Sequence, residues 1–214
     1  TPDVARGPSR RPPRGLHRPR APPAACLRKA MNGLAGAVKA AFGILGKENR
    51  RGALVGGLAV SAVCEPRFTR DVDLVIAVRD DASAERLVSA FVGRGFGIMT
   101  VVEQKSVRRL ATVRLVPPGG SDEGMVVDLL FSSSGIEPEI VRDAVEIEVW
   151  QGVRVPVARI GHLVALKVLS RDDRTRPQDL VDLRTLLTRC SRTEMKRARA
   201  AIELISERGC DRGR

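Results

Sequence analysis

From residue 31 the apolar positions recur at helical spacing through "MNGLAGAVKAAFGILGKENR", which predicts an amphipathic helix over 31–50, weakened at Gly36 and Gly43. "ALVGG" then reads as a short strand entering a glycine turn, and "LAVSAVCEP" as a short helix stopped by Pro66. "VDLVIAV" is apolar on both faces after its aspartate, the pattern of a strand in the middle of a sheet. "DASAERLVSAFVGRG" predicts a helix starting near Asp81 and ending at a glycine cap. Three strands are expected over 96–103, 107–116 and 124–131, the last two separated by the turn-forming "PPGGSDEG". "EPEIVRDA" is a short helix, and "VEIEVW" and "VRVPVA" form a hairpin turned at Gln151-Gly152. Helices over about 160–170, 177–188 and 192–207 complete the chain. The order predicts an α+β fold, a mixed β-sheet flanked by helices with a helical C-terminal part.

Composition changes this picture at the ends. Residues 1–25 hold seven of the thirteen prolines and almost no apolar periodicity. Residues 1–30 are therefore expected to be a disordered Pro/Arg-rich extension outside the fold. The core is expected over 31–158 and the helical part over 159–214. The net charge of +12 follows the same division. Residues 1–30 carry eight Lys/Arg against one acid, residues 189–214 eight against four, and the middle is almost balanced. A uniformly basic nucleic-acid face is not indicated. With one Trp, five Phe and no Tyr, stacking of bases on aromatic platforms is not indicated either. The four cysteines (Cys26, Cys64, Cys190 and Cys210) form no Cys-x-x-Cys pair, and there are two histidines. Neither a disulfide framework nor a zinc site is expected, and a cytoplasmic setting fits. No apolar run reaches the length of a membrane span, so no membrane association is expected.

The candidate chemistry lies in the acids. On a strand, residues two apart share a face, so Asp71 and Asp73 present two carboxylates side by side. Like charges held that close repel unless a proton or cation is shared, and oxygen ligands suit a hard cation such as Mg²⁺. Alternatively, Asp71 caps a turn and Asp73 pairs with Arg67 or Arg70. "GMVVDLLF" sets Asp128 inside an apolar strand, where a carboxylate needs either an arginine or a metal. Should that strand lie beside the first, three carboxylates converge. Gly56-Gly57 stands before a helix N-terminus, where backbone approach and free N–H groups suit an anion, or where a tight turn is simply needed. In "HLVALKVLSRDDRTRPQDLVDL", Lys167 sits in an apolar helix and Asp179 in the first turn of the next. A snorkelling lysine and an aspartate favoured by the helix dipole account for both equally. His162 is read as a helix-end or surface residue, not a ligand.

Taken in order, "VGGLAV", "RFTRDVDLVI", "VVDLLF" and "HLVALKVLSRDDRTRPQDLVDL" resemble the nucleotidyltransferase superfamily that includes polymerase beta. More closely, they resemble the AbiEii-type abortive-infection toxins and their minimal relatives, over roughly 50–190. The resemblance implies a nucleotidyltransferase-like core that moves a nucleotide from an NTP to an acceptor hydroxyl and releases pyrophosphate. It implies two Mg²⁺ ions (or Mn²⁺) held by Asp71, Asp73 and Asp128, with Asp128 helping to activate the hydroxyl. Gly56 and Gly57 would admit the phosphates, Lys167 would contact phosphate charge, and Asp179 would orient Lys167 or the substrate. Arg67 would neutralise the triphosphate or pair with Asp73. Many relatives have Gly-Ser where this chain has Gly-Gly, and Ser61 lies further along. The implied acceptor is an RNA or tRNA 3′ end, a protein side chain or a small molecule such as an antibiotic, and an antitoxin is an implied partner. A different class, a non-catalytic binding module on the same fold, would be expected to lack one of the three acids.

Overall fold

The computed structural model describes residues 24–67, 69–104, 108–119, 124–171 and 177–211, without the side chains of 24–32. The elements run α1 (Ala24–Lys47), β1 (Gly52–Val55), α2 (Gly56–Val63), β2 (Asp71–Ile76), α3 (Asp81–Val92), β3 (Gly97–Gln104) and β4 (Arg109–Val116). They continue with β5 (Val126–Leu130), α4 (Glu137–Asp143), β6 (Val145–Trp150), β7 (Val153–Val157), α5 (Ile160–Ser170), α6 (Pro177–Arg189) and α7 (Arg192–Glu207). α1 begins at Ala24, directly after the last proline of the N-terminal stretch, and so takes in the end of the segment read as an extension. Residues 1–23 lie outside the described residues.

The strands form one mixed sheet in the order β3-β4-β5-β2-β1-β7-β6. β2 pairs parallel with β5 and β1 parallel with β7, while the remaining pairings are antiparallel. β2 is thus central, as its two-sided apolar pattern requires: Val72, Leu74, Val75 and Ile76 are buried, whereas Asp71 is exposed and Asp73 half-buried. β6 and β7 form the hairpin turned at Gln151-Gly152, with Gly152 at φ 71°.

α1 and α3 pack together and against β2, β4 and β7. Asp80 caps α3 by accepting from the Ser83 N–H at 2.7 Å, one residue before the expected start. The core is aliphatic, with Leu45, Leu54, Leu74, Ile76, Leu115 and Leu129 fully buried, and Phe91 and Phe96 meet edge to face at 5.1 Å. The C-terminal helices join this layer through close backbone approach. A Cβ on Gly161 would overlap the Glu194 carbonyl, so only glycine lets α5 lie this near α7. Gly161 N–H also donates to the Glu194 carboxylate at 2.7 Å. Among the described residues, no helix is long and apolar enough to cross a membrane.

Candidate active site

Sheet pairing brings the separated acids into one row. Asp73 on β2 is the register partner of Asp128 on β5, Asp128 that of Arg114 on β4, and Arg114 that of Thr100 on β3. Asp71 shares the face of Asp73 two residues earlier. These residues, with Gly56, Gly57 and Arg67, line a cleft of about 680 Å³. Its opposite wall comes from α5 and α6, including Lys167, Ser170, Gln178 and Asp179. The segments read from the sequence as phosphate turn, acid strand, second acid strand and Lys/Asp helices therefore border a single cavity.

Gly56 has φ +64°, a conformation that favours glycine, and a Cβ there would overlap the Asp73 carboxylate. A Cβ on Gly57 would overlap the Arg67 guanidinium. The glycine pair thus makes room for an acid of the sheet and a cation of the α2–β2 connection. The turn flows directly into α2, leaving the N–H groups of its first turn at the cleft edge. Ser61 is turned to the backbone: its hydroxyl donates to the Gly57 carbonyl at 3.0 Å and accepts from the Arg67 N–H at 3.3 Å.

The electrostatics of the two walls differ. Burial, then repulsion from Asp128 and Asp71, pushes the Asp73 carboxyl from the ordinary 3.8 up to about 7. Asp128 is buried, and both its oxygens are taken by the Arg114 fork, Nε to Oδ1 at 2.8 Å and Nη2 to Oδ2 at 2.7 Å. Of the two environments open to Asp128 in the sequence, this is the arginine pair. On the helical wall, Lys167 Nζ donates to Asp179 Oδ1 at 2.6 Å and lies 2.8 Å from Asp182 Oδ2. Arg67 Nη2 donates to the same Asp182 oxygen at 2.8 Å, and Ser170 Oγ to Asp179 Oδ2 at 3.1 Å. Burial raises the Asp182 carboxyl, but the hydrogen bonds from Lys167 and Arg67 outweigh it and leave Asp182 below its usual range.

Asp182 and Arg114 were not singled out in the sequence. Asp182 stands three residues after Asp179 on one helix, a spacing that puts both acids on one face. Arg114 falls on the polar side of the alternation set by buried Ala111, Val113 and Leu115, yet only the pairing with β5 reveals its partner. For His162, the helix-end alternative holds and the surface one does not. It does stand in the first turn of α5, but it is buried, because α7 and the end of α4 close over it, with Asp143 Oδ2 at 4.0 Å from Nε2. Burial lowers its pKa, which Asp143 only partly opposes.

Part of this donor set suits a hard divalent cation. Asp71 and Asp73 fit: they offer oxygens from one face, and their mutual repulsion is what a cation relieves. Asp128 is held by Arg114, and among the described residues no group of three His, Cys, Asp or Glu side chains is arranged around one ion position.

The fold is similar to that of solved nucleotidyltransferase structures. The crystal structure of ANT(2'')-Ia in complex with adenylyl-2''-tobramycin is similar at a TM-score of 0.54 and 15% identity, covering 79% of this chain and 96% of that one. The solution structure of ANT(2'')-Ia is similar at 0.54 and 14%, covering 83% and 93%. At such identity the likeness is one of fold. A nucleotidyltransferase-like protein from Paracoccidioides brasiliensis gives 0.48 and 20%, over 85% and 89%. No curated protein matches the sequence. Residues 45–214 match the family model described as nucleotidyl transferase AbiEii toxin, Type IV TA system, and the chain belongs to that family.

Proposed function

We propose that the chain transfers a nucleotide from an NTP to an acceptor hydroxyl in a divalent-metal-dependent reaction, with Asp71 and Asp73 as the first metal ligands. The observation that carries this reading is the Asp73–Asp128 register pair at the floor of a cleft whose edge is Gly56-Gly57. Asp71 and Asp73 would hold Mg²⁺ (or Mn²⁺), which when bound would supply positive charge to an in-line displacement at the phosphate. The residues of the chain do the rest. First-turn N–H groups of α2 face the phosphates, with Gly56 and Gly57 keeping that approach open. An ammonium has three N–H groups; Asp179 and Asp182 engage two of Lys167's, and in this reading the third meets phosphate charge. Asp179 aims Lys167, while Arg67, anchored on Asp182, supplies a second cation to the triphosphate side. The acceptor oxygen forms a bond to the α-phosphorus, the bond to the β-phosphate oxygen breaks, and pyrophosphate leaves. The hydroxyl proton goes to Asp128.

The acceptor class in this reading is an RNA or tRNA 3′ end or a protein hydroxyl, with a small molecule such as an antibiotic as the alternative. A toxin role with a cognate antitoxin belongs to the same reading, supported by the family. Four dispersed cysteines with no Cys-x-x-Cys pair support a cytoplasmic setting. The test is incubation with each labelled NTP and Mg²⁺, offered total tRNA, lysate protein and an aminoglycoside in separate arms, with Asp71→Ala and Asp73→Ala beside the wild type. Label should move to one acceptor class and vanish in both variants. Transfer retained by the variants overturns the assignment of these acids, and no transfer to any acceptor favours the binding-module reading.

A further inference from the structure

We infer that Arg114 is a latch on Asp128: it keeps the third carboxylate from a divalent cation until the guanidinium swings away. The inference rests on the metal reading proposed above, and it accounts for the absence of a three-acid ion position among the described residues.

The geometry is one-sided. The guanidinium takes both oxygens of Asp128 in the two-pronged fashion that matches a planar carboxylate. The partners differ in their freedom. The Arg114 side chain is 41% exposed at the cleft surface, whereas that of Asp128 is 8% exposed and fixed in the middle of the sheet. Arg114 can rotate toward water, where its guanidinium is solvated; Asp128 cannot follow it, and an incoming cation then replaces Arg114 as the partner of the buried charge. Arg114 lies across Asp128 from Asp73, on the β3 side of the row. It therefore balances a cluster of three acids from one flank, in the way a cation shared between Asp73 and Asp128 would balance it from the other.

Both charges cannot be accommodated equally. A dication a few ångströms from a guanidinium is repelled by it even at an effective dielectric near 20. Asp71 and Asp73 can therefore take an ion while Arg114 stays in place, but recruitment of Asp128 requires that Arg114 leave. The same withdrawal frees an Asp128 oxygen for the acceptor's proton. Arg114 is accordingly a positioning residue acting through Asp128. A plain structural clamp makes the opposite prediction, because removing it would leave Asp128 disordered or uncharged and weaken ion binding.

Metal-free protein should be titrated with Mn²⁺ in the absence of nucleotide, bound ion being read from the loss of the free-Mn²⁺ electron paramagnetic resonance signal. Wild type, Arg114→Gln, Arg114→Lys, Asp128→Asn and the Arg114→Gln/Asp128→Asn double variant are compared. Arg114→Gln should bind Mn²⁺ at least about tenfold more tightly than wild type. Arg114→Lys should show a smaller gain, since a single ammonium cannot grip both oxygens, and it keeps the test open should the glutamine variant fail to fold. In the double variant the gain should disappear. Unchanged or weaker Mn²⁺ binding in the Arg114 variants, with wild-type binding intact, overturns the latch, as does a gain that survives loss of the Asp128 charge. Failure of wild type and every variant to bind Mn²⁺ overturns the metal reading itself.

Discussion

Asp73 and Asp182 are acids withdrawn from solvent near one cleft, and their surroundings push them in opposite directions. Asp182, on the helical wall, meets Lys167, Arg67 and Gln178 within hydrogen-bond distance and is held below its usual range. Asp73, on the sheet, meets Asp71 and Asp128 and is pushed up to about 7. The helical wall balances its own charge. The sheet is left with more negative charge than Arg114 alone offsets, and in the proposed reading that surplus is the place of the catalytic cation. Acids that look alike in composition are thus separated into a charge-balanced set and a mutually repelling set by which residues the fold brings beside them.

Breaking the sheet side should have the largest effect. Asp73→Asn keeps the side-chain shape and removes the charge, and transfer of labelled nucleotide should fall at least about 10³-fold, several kcal/mol of lost charge stabilisation. The helical side should lose stability as well as transfer. Lys167→Met leaves Asp179 and Asp182 buried with reduced compensation, and denaturant titration should show a loss of about 3–5 kcal/mol. Gly56→Ala tests how the two sides meet. Left-handed strain and displacement of the Asp73 carboxylate should together cost about 1–3 kcal/mol, with Mn²⁺ binding weakened beyond what the stability loss explains.

The comparison also has a pH signature. A carboxyl raised in the folded state adds stability that is complete below 3.8 and lost as pH rises through about 7. The denaturation midpoint of metal-free protein should therefore fall between pH 4 and 8. Asp73→Asn should flatten that slope, and Mg²⁺ should restore the midpoint at the alkaline end. Asp182 works with the other sign: its contribution is present above 3.8 and lost as pH falls below it, so Asp182→Asn should blunt acid unfolding. The smallest effect is expected at Ser61, where Ser61→Ala removes hydrogen bonds to Gly57 and Arg67 and should cost about 1 kcal/mol, read from the thermal midpoint.

Much of the fold was legible in local pattern. The two-sided apolar run after Asp73, the turn chemistry at Gln151-Gly152, and the helical spacing from Ile160 onward each depend on near neighbours along the chain; residues 120–123 of the turn read before β5 lie outside the described residues. The α+β order and the membership of Asp71, Asp73, Asp128, Lys167 and Asp179 in one cleft follow from that pattern together with the family's motif order. The beginning of α1 was less legible, because prolines and arginines dominate the stretch ahead of it and Ala24 carries no amphipathic signal.

By itself, then, the sequence determined the elements, their order and the acids worth watching, because periods of two and 3.6 residues and glycine's backbone freedom are short-range physics. Tertiary structure alone decided who meets whom. Arg114 faces Asp128 because β4 and β5 pair in one particular register, and Asp182 joins Lys167 to Arg67 because α6 packs beside α5 and α2. His162 is buried only because α7 folds back over the start of α5. Those partners lie from 14 to 115 residues apart, and the energy of a buried charge depends on the few ångströms around it, which only the folded chain supplies.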